Sequence, residues 1–304
     1  MLGILKMILP VLIMIAVGAV CRKKGVVQRQ GVAGLKALIV NVCLPAVLIG
    51  AFYRAQYSID IVVTALSMFV ICLAALGLGF LVKRFSKAKM RSTPFLMTGF
   101  EAGMLGYALF TLLFGAARIT YFATADLGQV LFVFTVYLVL LKKEASFKDS
   151  VKTMVKSPVI ISIVLGVVIG ATGLGRMVDA SAAGETVSYI FEFIAAPTAV
   201  LILFVIGYEL ELKKLNLRIT LSTLLARAAL MALLCVALLA AIGLIITVSE
   251  YLKWALILMF VLPPPFIIPI FVDNSDENAY VSATLSSYTV LSLIAFALIA
   301  YLSL

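Results

Sequence analysis

The sequence predicts an all-α integral membrane protein, ten transmembrane helices arranged as a 5+5 inverted repeat. Three observations lead there: the composition, the regular punctuation of apolar runs by charge, and proline and glycine landmarks that recur in the second half. The 304 residues are 64% hydrophobic and 12% charged, with a mean hydropathy of +1.21. Soluble domains hold about 45–50% apolar and about 25% charged residues, so too little polar material is present here to face water. The bilayer is the expected solvent for most of the chain.

A hydrocarbon core of about 30 Å takes about 20 apolar residues per helix. Runs of that kind lie at roughly 4–21, 35–53, 59–82, 94–116, 119–141, 158–174, 186–208, 218–247, 253–271 and 279–302. The first reads as a retained helix and not as a cleaved leader, because Arg22, Lys23 and Lys24 follow the apolar run Ile4–Val20 instead of preceding it. Alternate loops at 22–36, 83–91, 142–156 and 213–218 hold 5, 5, 5 and 3 basic residues, 18 of the 24 in the chain. The other side has Lys6, Arg54, Arg118, Arg176 and Lys253, and Arg227 falls within a span. By the positive-inside rule the rich loops are cytoplasmic and both termini extracytoplasmic, in a multi-pass protein of the cell membrane. The acidic turn with Asp273, Asp276 and Glu277 falls on the cytoplasmic side, where acids count little. The net charge of +10 is thereby explained as topology and contact with anionic lipid, with no need for nucleic acid.

Helix one carries Pro10 and Gly18, and helix six Pro158 and Gly166, each pair eight residues apart and the two pairs offset by 148. Helix two carries Leu44-Pro45-Ala46 and helix seven Ala196-Pro197-Thr198, with prolines offset by 152. A duplicated unit of five helices, 1–157 and 158–304, follows, and an odd number of spans inverts the second copy. Secondary transporters use this plan, with a site near the midplane where helices are interrupted. Breakers stand at equivalent helices. Helix nine reads Leu262-Pro263-Pro264-Pro265-Phe266, and three prolines in a row cannot continue a helix. Helix four reads Gly99-Phe100-Glu101-Ala102-Gly103-Met104-Leu105-Gly106-Tyr107, whose glycines loosen it.

An acid at a helix centre costs roughly 2.5–3.5 kcal/mol and is read first as functional. Glu101 is therefore a proton-coupling site, a ligand for a cationic group, or the partner of a base. Asp126 in helix five either holds the neighbouring broken helix or touches substrate or ion, and Glu192 in helix seven reads as a structural partner. Arg227 in helix eight counters an anionic substrate, snorkels, or pairs with an acid. Ser282, Thr284, Ser286, Ser287 and Thr289 make helix ten hydroxyl-rich, either as interhelical glue or as the wall of a polar cavity.

Several chemistries are excluded. There is no histidine and no CxxC pair among Cys21, Cys43, Cys72 and Cys235, so no metal site of the Cys/His type is expected and the cysteines read as packing residues. No catalytic dyad is present, so no enzyme is expected, and no cofactor is implied. Without a GxxxxGK[ST] loop, ATP-driven transport by this chain alone is not expected. A transporter-like sensor is the remaining alternative, though the short loops offer no signalling domain.

In the entry ILPVLIMIAVGAVCRKKG, the helix-two signature from Asn41 through Pro45 to Ala46, the stretch beginning at Asp126, Pro197, the proline-rich helix nine and the hydroxyl-rich helix ten, the chain resembles the auxin efflux carrier family. The resemblance implies the inverted-repeat fold related to bile-acid symporters and sodium/proton antiporters, with helices four and nine broken and crossing. It implies a scaffold and homodimer surface from helices one, two, six and seven. Helices three to five and eight to ten form an elevator-like transport domain. It implies a small carboxylate substrate, such as malate, malonate or an auxin-like acid. The expected substrate-binding positions are Asn41, Glu101, Gly103, Gly106, Tyr107, Pro263, Pro264, Pro265, Phe266 and Ser287, with Glu101 and Asp126 as coupling residues. Two departures stand out: Glu101 occupies the place of the family's Asn, and Ala108 that of its Pro. An acid there means either that Glu101 is protonated when a carboxylate binds, or that the solute is neutral or cationic.

Overall fold

In the computed structural model, residues 2–53, 58–85, 90–141, 152, 155–210, 217–272 and 275–303 are described. Arg54, Asp273 and much of the basic loops expected at 83–91, 142–156 and 213–218 lie outside them. The described residues are helical with no strand. Six helices among them are long and apolar enough to cross a membrane: Arg29–Phe52, Ile59–Phe85, Ala116–Leu141, Gly184–Glu209, Arg218–Gly243 and Asp276–Leu302. Leu2–Lys24, Pro158–Ala171, Ala102–Phe114 and Glu250–Val261 are further helices in the apolar runs.

Proline explains where the long helices loosen. In Arg29–Phe52 the turn Ile39–Cys43 is widened to a π-helical one just before Leu44-Pro45. Pro45 has no N–H to give and its ring crowds the carbonyl four residues back, and a wide turn relieves both. In Gly184–Glu209 the same problem at Pro197 is met by a turn at 196–197, after which Thr198–Glu209 restarts the helix. Helix Glu250–Val261 simply stops. Leu262 is extended (φ −68°, ψ 152°), as a residue before proline prefers, and Pro263–Pro265 continue without helical bonds to a short 3₁₀ turn at Ile268–Phe271. Between the short helix Thr93–Leu96 and Ala102–Phe114 the backbone of Gly99–Glu101 is non-helical as well.

The chain divides into two compact units. The first comprises Met1–Ile59, Gly103–Ala123 and Lys152–Leu210. In it Leu2–Lys24 packs along Thr198–Glu209, and Pro158–Ala171 along Leu44–Phe52. Thr120 Oγ1 donates to the Ala51 carbonyl (2.9 Å), and the Tyr53 hydroxyl donates to Asp179 (3.2 Å). Lys36 and Glu209 form a half-exposed ion pair. The second unit comprises Asp60–Ala102, Thr124–Val151 and Glu211–Leu304. Its core collects the polar side chains Thr98, Glu101, Asp126, Gln129, Arg227 and Ser292, all buried.

Candidate functional site at two interrupted helices

Inside the second unit the two non-helical segments meet. The Glu101 N–H donates to the Pro263 carbonyl (2.8 Å), and the Phe266 N–H donates to Glu101 Oε2 (2.6 Å). This exchange follows from the sequence of the break. Pro263, Pro264 and Pro265 have no N–H, so Phe266 offers the first backbone donor after Leu262. A carboxylate accepts such a donor more strongly than a neutral amide does. Gly99 makes the approach possible: its φ is +69°, and a Cβ there would lie 2.9 Å from the Pro265 ring.

Arg227 ties the same segments from the other side and is fully buried. Its guanidinium donates to Leu96 O (2.8 Å), Gly99 O (2.8 Å) and Leu262 O (3.2 Å), and lies 5.7 Å from the Phe100 ring centroid and 5.0 Å from that of Tyr288. Leu96 ends the single turn Thr93–Leu96 and Leu262 caps the twelve-residue helix Glu250–Val261, so the cation sits at the carbonyl end of the longer helix, where its dipole favours it. Glu101 immediately precedes Ala102–Phe114, the end that favours an anion.

Other side chains complete the satisfaction of this unwound backbone. Tyr137 OH donates to Phe95 O (3.1 Å), Gln129 Nε2 to Phe100 O (2.9 Å) and to Asp126 Oδ1 (3.2 Å), and Thr98 Oγ1 to Cys72 O (3.0 Å). Ser292 Oγ donates to Val261 O (2.5 Å) at the end of Glu250–Val261. Non-helical backbone at membrane depth is tolerated only with such partners.

The residues expected at a site divide accordingly. Glu101, Pro263, Pro264, Pro265, Phe266 and Asp126 belong to this unit, and Glu101 bonds directly to Pro263 and Phe266. Ser287 is half-buried in the helix Ser275–Leu302 of the same unit. Its neighbours Thr284 and Thr289 spend their hydroxyls on the carbonyls of Tyr280 and Leu285, four residues back. Asn41, Gly103, Gly106 and Tyr107 belong to the first unit. The exposed Asn41 amide donates to Ala37 O (2.7 Å) in its own helix, and Tyr107 is buried against Phe122, centroids 5.1 Å apart.

Gln129, Tyr137, Thr98 and Ser292 escaped the sequence reading. A signal existed for Gln129, which is three residues beyond Asp126 and so on the same helical face. Among the described residues no three His, Cys, Asp or Glu side chains group as metal ligands, and all four cysteines are free. No family model matches the chain, and no curated protein matches it.

Proposed function

We propose that this chain is a secondary transporter of small organic solutes working by alternating access. Glu101, at the meeting of the two interrupted helices, is its candidate substrate and coupling group. The observation that carries the reading is that meeting: unwound backbone buried in an apolar protein, with an acid and a base at the helix ends. Transporters build midplane sites from such discontinuous helices. On this reading the ten apolar runs form two inverted repeats, the lysine- and arginine-rich loops are cytoplasmic, and the chain works as a homodimer in the cell membrane with elevator-like motion of a transport domain. The resemblance to the auxin efflux carrier family supports carboxylates as substrates, with Glu101 protonated when one binds.

A second reading, neutral or cationic solutes, is favoured by Arg227. Three of its five N–H groups are committed to backbone carbonyls, so an anion would have to compete with the bonds that hold the break together. Counterflow in proteoliposomes tests both. Malonate and a neutral and a cationic analogue are offered across a pH series to wild type and Glu101→Gln. Gln keeps an acceptor for the Phe266 N–H, so the variant is expected to fold, and a flattened pH profile is the expected result. Counterflow with an unchanged pH profile sinks proton coupling through Glu101, and failure of wild type to exchange any probe sinks the transporter reading in favour of a sensor.

A further inference from the structure

The first unit contains a cavity of about 550 Å³, bounded by segments of Leu44–Phe52, Ala102–Phe114 and Gly184–Glu209 with the start of Ala116–Leu141, and of the expected substrate-binding positions it includes Tyr107. Its size suits a single small molecule. Most of its wall is apolar, much of it alanine, but four lining side chains give it a chemical character: Tyr53, Tyr107, Phe191 and Glu192. Among the described residues no Lys or Arg lines it. Tyr53 and Phe191 stand with ring centroids 5.7 Å apart. The Tyr53 ring is fixed in place because its hydroxyl is bonded to Asp179.

Glu192 is the feature that needs explaining. It lines the cavity with its side chain exposed, eight residues into the candidate span Gly184–Glu209 and about 12 Å along the axis by the helical rise, where an acid is expensive. Among the described residues no base and no hydrogen-bond donor pairs with its carboxylate. Acids in such segments almost always face the bundle interior or a water-filled cavity, pair with other groups, and mark substrate or ion paths. The lining hydroxyls of Thr120, Ser188 and Thr198 donate to backbone carbonyls and leave the carboxylate alone.

We propose that this cavity binds a soluble organic ammonium ion with an apolar body. The ammonium is held between the Glu192 carboxylate and the faces of Tyr53, Tyr107 and Phe191, and the body lies against the alanine-rich wall. A carboxylate supplies the countercharge, and aromatic faces attract a cation through their quadrupole, by more where water is excluded. A carboxylate ligand meets no countercharge among the described lining residues. The inference stands on the cavity alone and does not require that the chain transports anything.

The test uses the full chain in dodecyl maltoside, which carries no ammonium group, with three probes of one shape: 2-phenylethylammonium, 2-phenylethanol and phenylacetate. Calorimetric titration is expected to show the ammonium ion binding about tenfold tighter than the alcohol, with phenylacetate not binding. Glu192→Gln should erase the preference for ammonium over alcohol and leave the ligand-free melting temperature unchanged. The wild-type order of the three probes decides the matter even if the variant fails to fold. Phenylacetate binding as tightly as the ammonium ion overturns the proposal, and so does a preference that survives Glu192→Gln. Saturation only by added phosphatidylethanolamine overturns it too, since the site then belongs to lipid. Tight binding of the ammonium ion without its counterflow leaves this inference standing, and the transporter reading is then decided by the Glu101 counterflow series alone.

Discussion

Both units join helices without a hydrophobic driving force by close approach at glycine, and the second adds a buried cation where its helices are interrupted. In the first unit the joints are made by glycine. A Cβ on Gly18 would lie 2.1 Å from Phe204 O, and one on Gly207 would lie 2.0 Å from Ile15 O. Leu2–Lys24 and Thr198–Glu209 therefore touch backbone to backbone, reciprocally, and dispersion over that contact holds them. In the second unit Gly128 makes such a joint too, a Cβ there lying 2.0 Å from Ala65 O, and a cation is added to it: Arg227 reaches three carbonyls from two interrupted helices. The difference teaches what an interrupted helix demands. Continuous helices satisfy their own backbone and need only close contact, whereas a break frees carbonyls that must be given donors.

The comparison breaks most visibly at Arg227. Arg227→Met is expected to destabilise the second unit by on the order of 3–5 kcal/mol, because several carbonyls lose a charged donor at once. Arg227→Lys recovers only part of that, since a single ammonium cannot span three acceptors fixed by a planar fork. Denaturant titration in detergent reads both, and a Met variant as stable as wild type would show that the break needs no cation. The next effect is in the glycine joint. Gly18→Ala and Gly207→Ala each force the two helices apart, at about 1–3 kcal/mol. The double variant should cost less than the two singles together, because the first Cβ has already opened the gap for the second. Strict additivity in the melting curves would argue against a shared joint.

A smaller effect sharpens the picture within helix four itself. Gly99→Ala meets both the +69° φ and the Pro265 ring 2.9 Å away, and about 1–2 kcal/mol is expected. Gly103→Ala meets nothing within 4 Å, so it should be neutral or stabilise by up to about 1 kcal/mol through better helix propensity. If the two variants melt alike, the distinction between a glycine at a close approach and one in an open turn fails.

That last pair also marks how far the sequence could be read. An acid and three prolines in apolar runs are local anomalies, so Glu101 and Pro263–Pro265 stood out without any knowledge of neighbours. Gly99, Gly103 and Gly106 looked alike, because a letter G does not disclose whether φ is positive or a ring lies opposite. Arg227 was visible as an expensive charge, and the partners weighed for it were an anion, an acid or the membrane surface. Its observed partners are peptide carbonyls at Leu96, Gly99 and Leu262, which every residue possesses and which therefore leave no trace in a sequence. The hydroxyl-rich helix Ser275–Leu302 invited a polar-cavity reading for a similar reason. Composition records that Thr284 and Thr289 carry hydroxyls, but not that they are turned back on their own helix.

The run of three prolines has a consequence for isotope exchange. Positions 263, 264 and 265 carry no amide proton, so a deuterium map of this region is silent between Leu262 and Phe266. The first proton to report after the gap is the Phe266 amide, and its acceptor is the Glu101 carboxylate. Its exchange rate and its nitrogen shift thus register that single carboxylate, and they should move whenever Glu101 takes up a proton or turns toward another donor.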